Sequence, residues 1–228
     1  MADRAPAELE RLLAGASADP GVVRRLALYG GLVLDANRRF NVTGAKLESE
    51  IAEHITDSLS IVPYVSAPYV DVGSGAGFPA IPLAIATGLE MTLIEATAKK
   101  ARLLEEIMDT LGLAGRVVAE RAETAGHRAD LRERFASGTC RAVATAPAAA
   151  ELLLPLIAIG GAAILQRGRL DEAERTSLED AALVLGGRLD ETVALGGERR
   201  IVLLKKERVT PTRFPRRSGV AQKRPLCS

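Results

Sequence analysis

The stretch that decides the fold runs from Tyr69 to Thr97, Y-V-D-V-G-S-G-A-G-F-P-A-I-P-L-A-I-A-T-G-L-E-M-T-L-I-E-A-T. Tyr69 to Val72 is a short apolar run, after which glycines alternate at Gly73, Gly75 and Gly77. A helix-like segment follows, then a second apolar run from Met91 to Ile94 that ends in Glu95. Strand, glycine turn, helix, strand and acid in that order predict a nucleotide-binding βαβ unit. Glycine belongs where the backbone turns tightly and a ligand must approach it without a Cβ in the way, and the N–H groups opening the helix then face that ligand. Pro79 and Pro82 suit the first turn, where some N–H groups lack partners anyway. Glu95 follows Gly77 by 18 residues, close to the spacing of about 20 at which a carboxylate meets ribose hydroxyls.

The glycine spacing narrows the ligand. A dinucleotide fingerprint has its third glycine three residues after the second; here that place is Phe78, and the third glycine, Gly77, comes one residue early. This weakens a nicotinamide-linked oxidoreductase reading. Gly-x-Gly-x-Gly resembles the loop of S-adenosylmethionine (SAM) methyltransferases, which cradles an amino-acid tail and a ribose and has no pyrophosphate to hold. The other reading is a tight turn in an α/β core with no ligand, which the Asp71 and Glu95 frame disfavours.

Working outward, 228 residues allow one large domain with an appendage. The chain is 47% hydrophobic with a formal net charge of +1, so a core is assured and no global field steers it to nucleic acid; a local patch must do so. Cys140 and Cys227 have no zinc-type spacing and suggest a reducing compartment. No metal is expected. The mixed, charged N-terminus does not read as a signal peptide. Residues 142–166 are almost wholly apolar but carry Pro147, Glu151, Pro155 and Gly160-Gly161, so a buried helix, a glycine turn and a buried strand are expected rather than a membrane span.

Helical spacing is predicted over 5–13 and 22–37, where Leu26, Tyr29, Gly30, Val33 and Leu34 share a face, and again over 48–62. On the last of these, His54, Asp57 and Ser58 fall on one side. Adjacent Asp57 and Ser58 on a helix cannot build a hydrolase relay, and no nucleophile elbow is present; the alternatives are a local structural role or a binding face. Beyond Glu95 the pattern predicts a helix over 99–112, a strand over 117–119 leading to R-A-E at Arg121–Glu123, a fourth strand starting at Arg141, and a helix over 148–159. A glycine turn at Gly160-Gly161, a strand over 162–166, a helix over 170–185 and a closing hairpin of 192–195 with 200–205 complete the chain. In this architecture ligands sit beyond the carboxyl ends of the strands, which puts Ala122 and Glu123 near an adenine. Glu123 alone is equally a first-turn acid favoured by the helix dipole. From Lys205 to Arg224 eight basic residues face one acid; with Phe214 they suit RNA phosphates and an unstacked base, or a solvated end.

The chain is similar to the bacterial RsmG (GidB) family over residues 20–226. The resemblance is carried by N-V-T at Asn41–Thr43, H-I-T-D-S-L at His54–Leu59, V-D-V-G-S-G-A-G-F-P at Val70–Pro79 and E-A-T at Glu95–Thr97. It continues in R-A-E, R-A-V-A at Arg141–Ala144, and the tail F-P-R-R-S-G-V-A-Q-K-R-P-L at Phe214–Leu226. It departs from the family in Glu95 for a common Asp, Arg167 for a common Lys, and Ala221 for a common Pro. The resemblance implies a Rossmann-like class I SAM methyltransferase fold: a mostly parallel doubly wound α/β sheet over 66–206, an N-terminal helical extension over 1–65 and a basic tail over 207–228. It implies a cytoplasmic, monomeric enzyme that uses SAM to methylate N7 of a guanine in the decoding region of 16S rRNA on the small ribosomal subunit. SAM would be held by Gly73, Gly75, Gly77, Phe78, Glu95, Ala96, Thr97, Ala122, Glu123 and Arg141. Arg141 would also act at the reactive centre, and Asn41, Thr43, His54, Asp57, Ser58, Arg167, Arg216, Arg217 and Lys223 would meet the RNA. The residues agree with that chemistry. Guanine N7 carries a free lone pair, whereas exocyclic-amino enzymes of similar fold carry Asn/Asp-Pro-Pro-aromatic where this chain has A-T-A-P at Ala144–Pro147. The alternatives are a methyltransferase for a small molecule or protein, and a non-catalytic rRNA-binding assembly factor.

Overall fold

A computed structural model describes residues 6–141 and 144–227. In chain order it contains helices α1 (Ala7–Leu12), α2 (Pro20–Arg39) and α3 (Glu48–Leu59), strand β1 (Tyr69–Val72), α4 (Ala80–Thr87), β2 (Met91–Ile94), α5 (Ala98–Leu111), β3 (Gly115–Val118) and α6 (Ala122–Ala125). There follow β4 (Phe135–Arg141), α7 (Ala146–Leu153), β5 (Ile157–Arg167), α8 (Glu172–Val184), β6 (Gly187–Gly196), β7 (Arg199–Lys206) and α9 (Val220–Lys223). The strands form one sheet in the order β3-β2-β1-β4-β5-β7-β6. β1 to β5 run parallel, and β7 lies antiparallel between β5 and β6. This is the doubly wound α/β sheet with a closing hairpin that the spacing predicts.

Both faces of the sheet are covered, and side-chain alternation sorts the strands between two cores. Tyr69, Leu93, Ile164 and Ile201 pack under α1–α5, while Val70, Ile94, Leu165 and Val202 pack under α7 and α8. The N-terminal helices therefore share the first core. Gly30 of α2 shows how closely they fit: a Cβ there would meet the side chains of Ile51 and Leu9 at 2.9 and 3.0 Å.

Three predicted elements move. The fourth strand ends at Arg141 rather than starting there. Its sequence F-A-S-G-T-C-R looks too polar for a central strand, but Ser137 donates to Ser66 O and Thr139 to Asp71 Oδ1. Gly138 is needed because a Cβ would lie within 2.8–2.9 Å of Val70, Ile157 and Leu153. Of the R-A-V-A run, Ala142 and Val143 lie outside the described residues. The helix expected over 148–159 stops at Leu153, and a short 3-10 turn at Leu154–Leu156 leads straight into β5. Gly160-Gly161 is thus no turn between elements; it sits inside β5, where the register with β4 slips between Phe135 and Ser137, as at a bulge.

The tail is packed, neither an aromatic arm for a base nor a solvated end. Phe214 and Ala221 are buried in the second core. Arg216 lies against α7, where its Nε and Nη2 contact both oxygens of Glu151 at 2.6–3.0 Å and its backbone N–H donates to Oε1 at 2.8 Å. Glu151 is fully buried, so Arg216 neutralises a carboxylate that has no access to water. Breaking such a pair from one side costs about 3–5 kcal/mol. Arg216→Ala should therefore destabilise the fold by about 3 kcal/mol, roughly 6–12 °C in melting temperature at this size, while the exposed Arg217→Ala changes it little. Equal melting curves for the two variants would show that the tail does not hold the body.

Candidate active site

The sheet reverses direction of winding between β1 and β4, the place where α/β folds bind ligands. The glycine loop leaves β1 there, and Arg141 ends β4 beside it. Gly73, Gly75 and Gly77 all have positive φ, at 72°, 56° and 103°. Gly77 is fixed twice over, since a Cβ would also meet Ile81 Cδ1 at 2.6 Å. Gly75 is different: a Cβ would find nothing nearer than 3.7 Å, so its conformation is restricted but the space above it is open. The loop is supported from below by Tyr29 of α2, whose hydroxyl donates to Ala76 O at 3.0 Å.

Glu95 ends β2 and closes the loop. Its Oε2 accepts from Gly75 N at 2.9 Å and its Oε1 from Thr97 N at 2.7 Å. A carboxylate has about four lone-pair sites, so two acceptor directions remain. Ala96 and Thr97, which follow Glu95, are exposed. Asp71 lies deeper, fully buried, with Oδ1 accepting from Thr139 and Oδ2 without a partner among the described residues. Burial pushes its carboxyl up to about 7, against the opposing pull of the Thr139 hydroxyl.

A cleft of about 390 Å³ opens over the loop, lined by Gly73, Ser74, Gly75 and Phe78 on one side and by Thr43, His54, Lys100 and Arg141 around it. Thr43 is held in place by Asn37, whose Oδ1 accepts from the N–H groups of Val42 and Thr43 at 2.9 and 3.2 Å. Phe78 is a hub. Its ring meets Tyr29 edge-on at 5.3 Å and His54 at 5.4 Å, and the Arg141 guanidinium lies 5.9 Å from its centroid.

Arg141 is only 18% exposed and takes its partners from α3. It contacts Asp57 Oδ2 at 3.2 Å and donates to His54 Nδ1 at 3.0 Å; Nη1 reaches Ser58 Oγ and His54 O, both at 3.4 Å. An arginine has no lone pair to offer, so Nδ1 is the acceptor and the proton sits on Nε2. Burial and then the Arg141 charge hold His54 below its ordinary value of 6.5, more than Asp57 raises it. The ring is therefore neutral near pH 7, and its free lone pair is occupied. Ser58 is buried and donates to His54 O.

A second cleft of about 350 Å³ adjoins the first and shares Arg141 with it. Its other lining residues are Asp57, Gln166, Arg167, Gly168, Arg199 and Arg200. Arg167 donates to Ala144 O and pairs with Glu174 at 3.0 Å. The remaining predicted residues lie elsewhere. Asn41 lines a separate surface hollow beside Asn37 and Lys46. Ala122 and Glu123 open α6 just past the carboxyl end of β3, outside the lining of the first cleft, and Glu123 Oε1 accepts from Gly219 N of the tail at 2.8 Å. Burial raises the Glu123 carboxyl, but that N–H and Arg121 outweigh it and leave it below the usual carboxylate range. Arg216 is turned to Glu151, while Arg217 and Lys223 are exposed. Ser74, Lys100, Gln166, Arg199 and Arg200 line the clefts without having been singled out from the sequence.

Comparison with known proteins agrees with this geometry. Residues 23–203 match the family described as rRNA small subunit methyltransferase G (GidB). Relatives called ribosomal RNA small subunit methyltransferase G occur in Deinococcus deserti, 38% identical over 97% of each chain, and in Chloroflexus aggregans, 42% identical over 83% of this chain and 84% of the other. Another, from Leuconostoc citreum, is 35% identical over 90% of this chain and 91% of its own. Among solved structures, a Pyrococcus horikoshii OT3 protein shares the fold with a TM-score of 0.57 and 12% identity, covering 76% of this chain and 99% of that one. A variant of MtNAS in complex with S-adenosylmethionine does so with a TM-score of 0.54 and 15% identity, over 89% of this chain and 80% of that one. The chain belongs to the rRNA small subunit methyltransferase G family.

Proposed function

We propose that this protein is a SAM-dependent methyltransferase that methylates N7 of a guanine in the decoding region of 16S rRNA, acting as a cytoplasmic monomer on the small ribosomal subunit. One observation carries the choice of atom: among the described residues, no side chain lining the first cleft is placed to take a proton. His54 Nδ1 is occupied by Arg141, the Glu95 carboxylate is tied to Gly75 and Thr97, and Asp71 is sealed beneath the loop. A hydroxyl or an exocyclic amine must lose a proton when it is alkylated. Guanine N7 attacks with a lone pair it already has, so alignment and electrostatics suffice.

The cleft fits the cofactor. Gly75 leaves open space where a side chain would intrude, and Glu95 keeps two acceptor directions for ribose hydroxyls. Lys100 supplies a cation suited to the carboxylate of an amino-acid tail, while the exposed Ala96 and Thr97 are assigned to the rim. When bound, SAM supplies an electrophilic methyl group on a sulfonium. The transfer moves a positive charge and creates none. Arg141, already neutralised by Asp57, can therefore orient the reactants without opposing the reaction. We assign Glu123 and Ala122 to the wall that the tail completes, and Arg217 and Lys223 to phosphates. The division of labour is a SAM-binding core over 66–206, flanked by the helical extension over 1–65 and the tail over 207–228.

Methyl transfer from labelled SAM to small ribosomal subunits from cells lacking the activity should yield 7-methylguanosine at one rRNA position on nucleoside mass spectrometry. A methylated base or ribose other than 7-methylguanosine would overturn the assignment, and SAM bound without any label in rRNA would move the substrate elsewhere. Arg141→Ala should lower kcat by about 10²–10³-fold, the size of losing one preorganised donor; unchanged kinetics would remove Arg141 from the reaction. The pH dependence follows from His54. Its pKa is depressed, so the neutral acceptor that Arg141 needs is present at neutral pH and is lost only as pH falls through that value, below 6.5. Between that pKa and 6.5 the unfolded state binds more protons, so stability also falls with acid there. The kcat profile should be flat above pH 6.5 and drop below it, and His54→Asn should move or erase the acid limb.

A further inference from the structure

The second cleft gathers several polar atoms among its own lining residues that are buried and, among the described residues, unpaired. Gln166 is 7% exposed, and among the described residues its Oε1 has no hydrogen-bond partner; the Nε atoms of Arg167 and Arg200 are in the same condition. The orientation of the Gln166 amide is not arbitrary. Its nitrogen donates to Asp57 O at 2.8 Å and lies 3.5 Å from Asp57 Oδ2. Turning the amide over would point oxygen at two oxygens, so the acceptor must face away from Asp57. A buried acceptor left unmade is costly, and proteins keep such groups where a ligand completes them.

The strand register explains why these groups converge. Arg141 lies opposite Gln166 across β4 and β5, Gln166 lies opposite Ile201 across β5 and β7, and Arg167 lies opposite Arg200. The cleft therefore stands on the carboxyl ends of β4 and β5 and the start of β7, directly beside the cofactor cleft. At about 350 Å³ it lies within the size range of small-ligand sites. Its wall offers one neutral acceptor, four guanidinium groups and one carboxylate that is already shared between Arg141 at 3.2 Å and Arg199 at 3.8 Å.

From this pattern we infer that the second cleft receives the target base itself, with Gln166 as the residue that selects guanine by its Watson–Crick edge. This inference rests on the methyltransferase reading and adds the base pocket to it. Guanine presents N1–H and N2–H₂ donors next to the O6 acceptor. Gln166 Oε1 accepts from the donors and an arginine N–H gives to O6. Adenine carries an acceptor at N1, and its amino group stands where guanine has O6, so the same wall sets donor against donor. With that edge in the second cleft, N7 lies on the opposite side of the base, toward Arg141 and the cofactor cleft. A base that enters so far must leave its stack, as substrates of base-modifying enzymes do, and unpaired rRNA loops permit it. Arg200, whose Nε is unpaired among the described residues, is the arginine that gives to O6, and Arg199, next to the hairpin turn, then takes a flanking phosphate.

The test compares wild type with Gln166→Met, which keeps the size and removes both amide functions. Three quantities are read: SAM affinity by calorimetry, kcat/KM on small subunits, and the ratio of kcat/KM for subunits with guanine and with adenine at the target position. The expected result is SAM affinity within about twofold of wild type, kcat/KM on guanine lower by about 10–100-fold, and a smaller guanine-to-adenine ratio. Arg200→Gln, on the opposite wall, should give the same pattern and serves if Gln166→Met does not fold. Native SAM affinity together with unchanged kcat/KM and an unchanged ratio in a folded variant would overturn the inference. Loss of the methyltransferase reading would look different, because wild type itself would then fail to bind SAM or to label rRNA.

Discussion

A guanidinium at the carboxyl end of a central strand, little exposed, cannot stand without partners. Arg141 finds them on a helix from the other end of the domain: Asp57, His54 and Ser58 on α3, with the Phe78 ring beside them. That requirement binds the N-terminal helices to the sheet at one defined place. It sets the His54 tautomer, and it puts a single charged group on the wall of both clefts. The first core does the rest, holding α2 close enough for Tyr29 to support the glycine loop. The helical extension is in this sense part of the site.

The tail answers to a similar constraint on the other face of the sheet. Glu151 sits fully buried in an apolar helix, and its charge is acceptable only because Arg216 supplies a bidentate partner and a backbone N–H. Once Arg216 is fixed, Phe214 drops into the second core and Gly219 N meets Glu123. A segment that is basic by composition thus contributes one of its arginines to the interior. On the proposed function, the same segment joins the adenine side of the cofactor cleft to the exposed Arg217 and Lys223.

The local pattern was enough for the nucleotide-binding unit, because each part of it is a short-range necessity. The positive φ values of the three glycines, the alternation of β1 and β2 and the acid ending β2 all lie within one stretch. Features that depend on strand order were not legible in the same way. Gln166, Arg199 and Arg200 come together because β7 returns to lie beside β5, and neither hydropathy nor spacing announces that neighbour. β4 was misplaced because its polar residues are satisfied by partners some 70 positions away, such as Asp71 for Thr139 and Ser66 for Ser137. Arg216 read as a phosphate contact because its partner lies 65 residues earlier. The one available signal was Glu151 itself, a lone acid in the run A-A-A-E-L-L-L, which had to be paired by something.

The two clefts differ in how their polar groups are treated, and the difference suits the chemistry. In the first, the His54 acceptor is taken by Arg141, and Glu95 is anchored by two loop N–H groups with its remaining acceptor directions left for ribose hydroxyls. Such a cleft can hold a charged ligand and position it, but it cannot deprotonate anything. In the second, Gln166 Oε1 has no partner among the described residues while an excess of arginine surrounds it. Binding energy is then available only to a partner that brings both a donor and negative charge, which describes a nucleotide better than it describes a neutral metabolite. Arg141 stands between the two with its charge cancelled by Asp57, so a methyl cation equivalent can pass beside it without a repulsive field. On this view, specificity resides in the groups left unpaired and catalysis in the groups already satisfied.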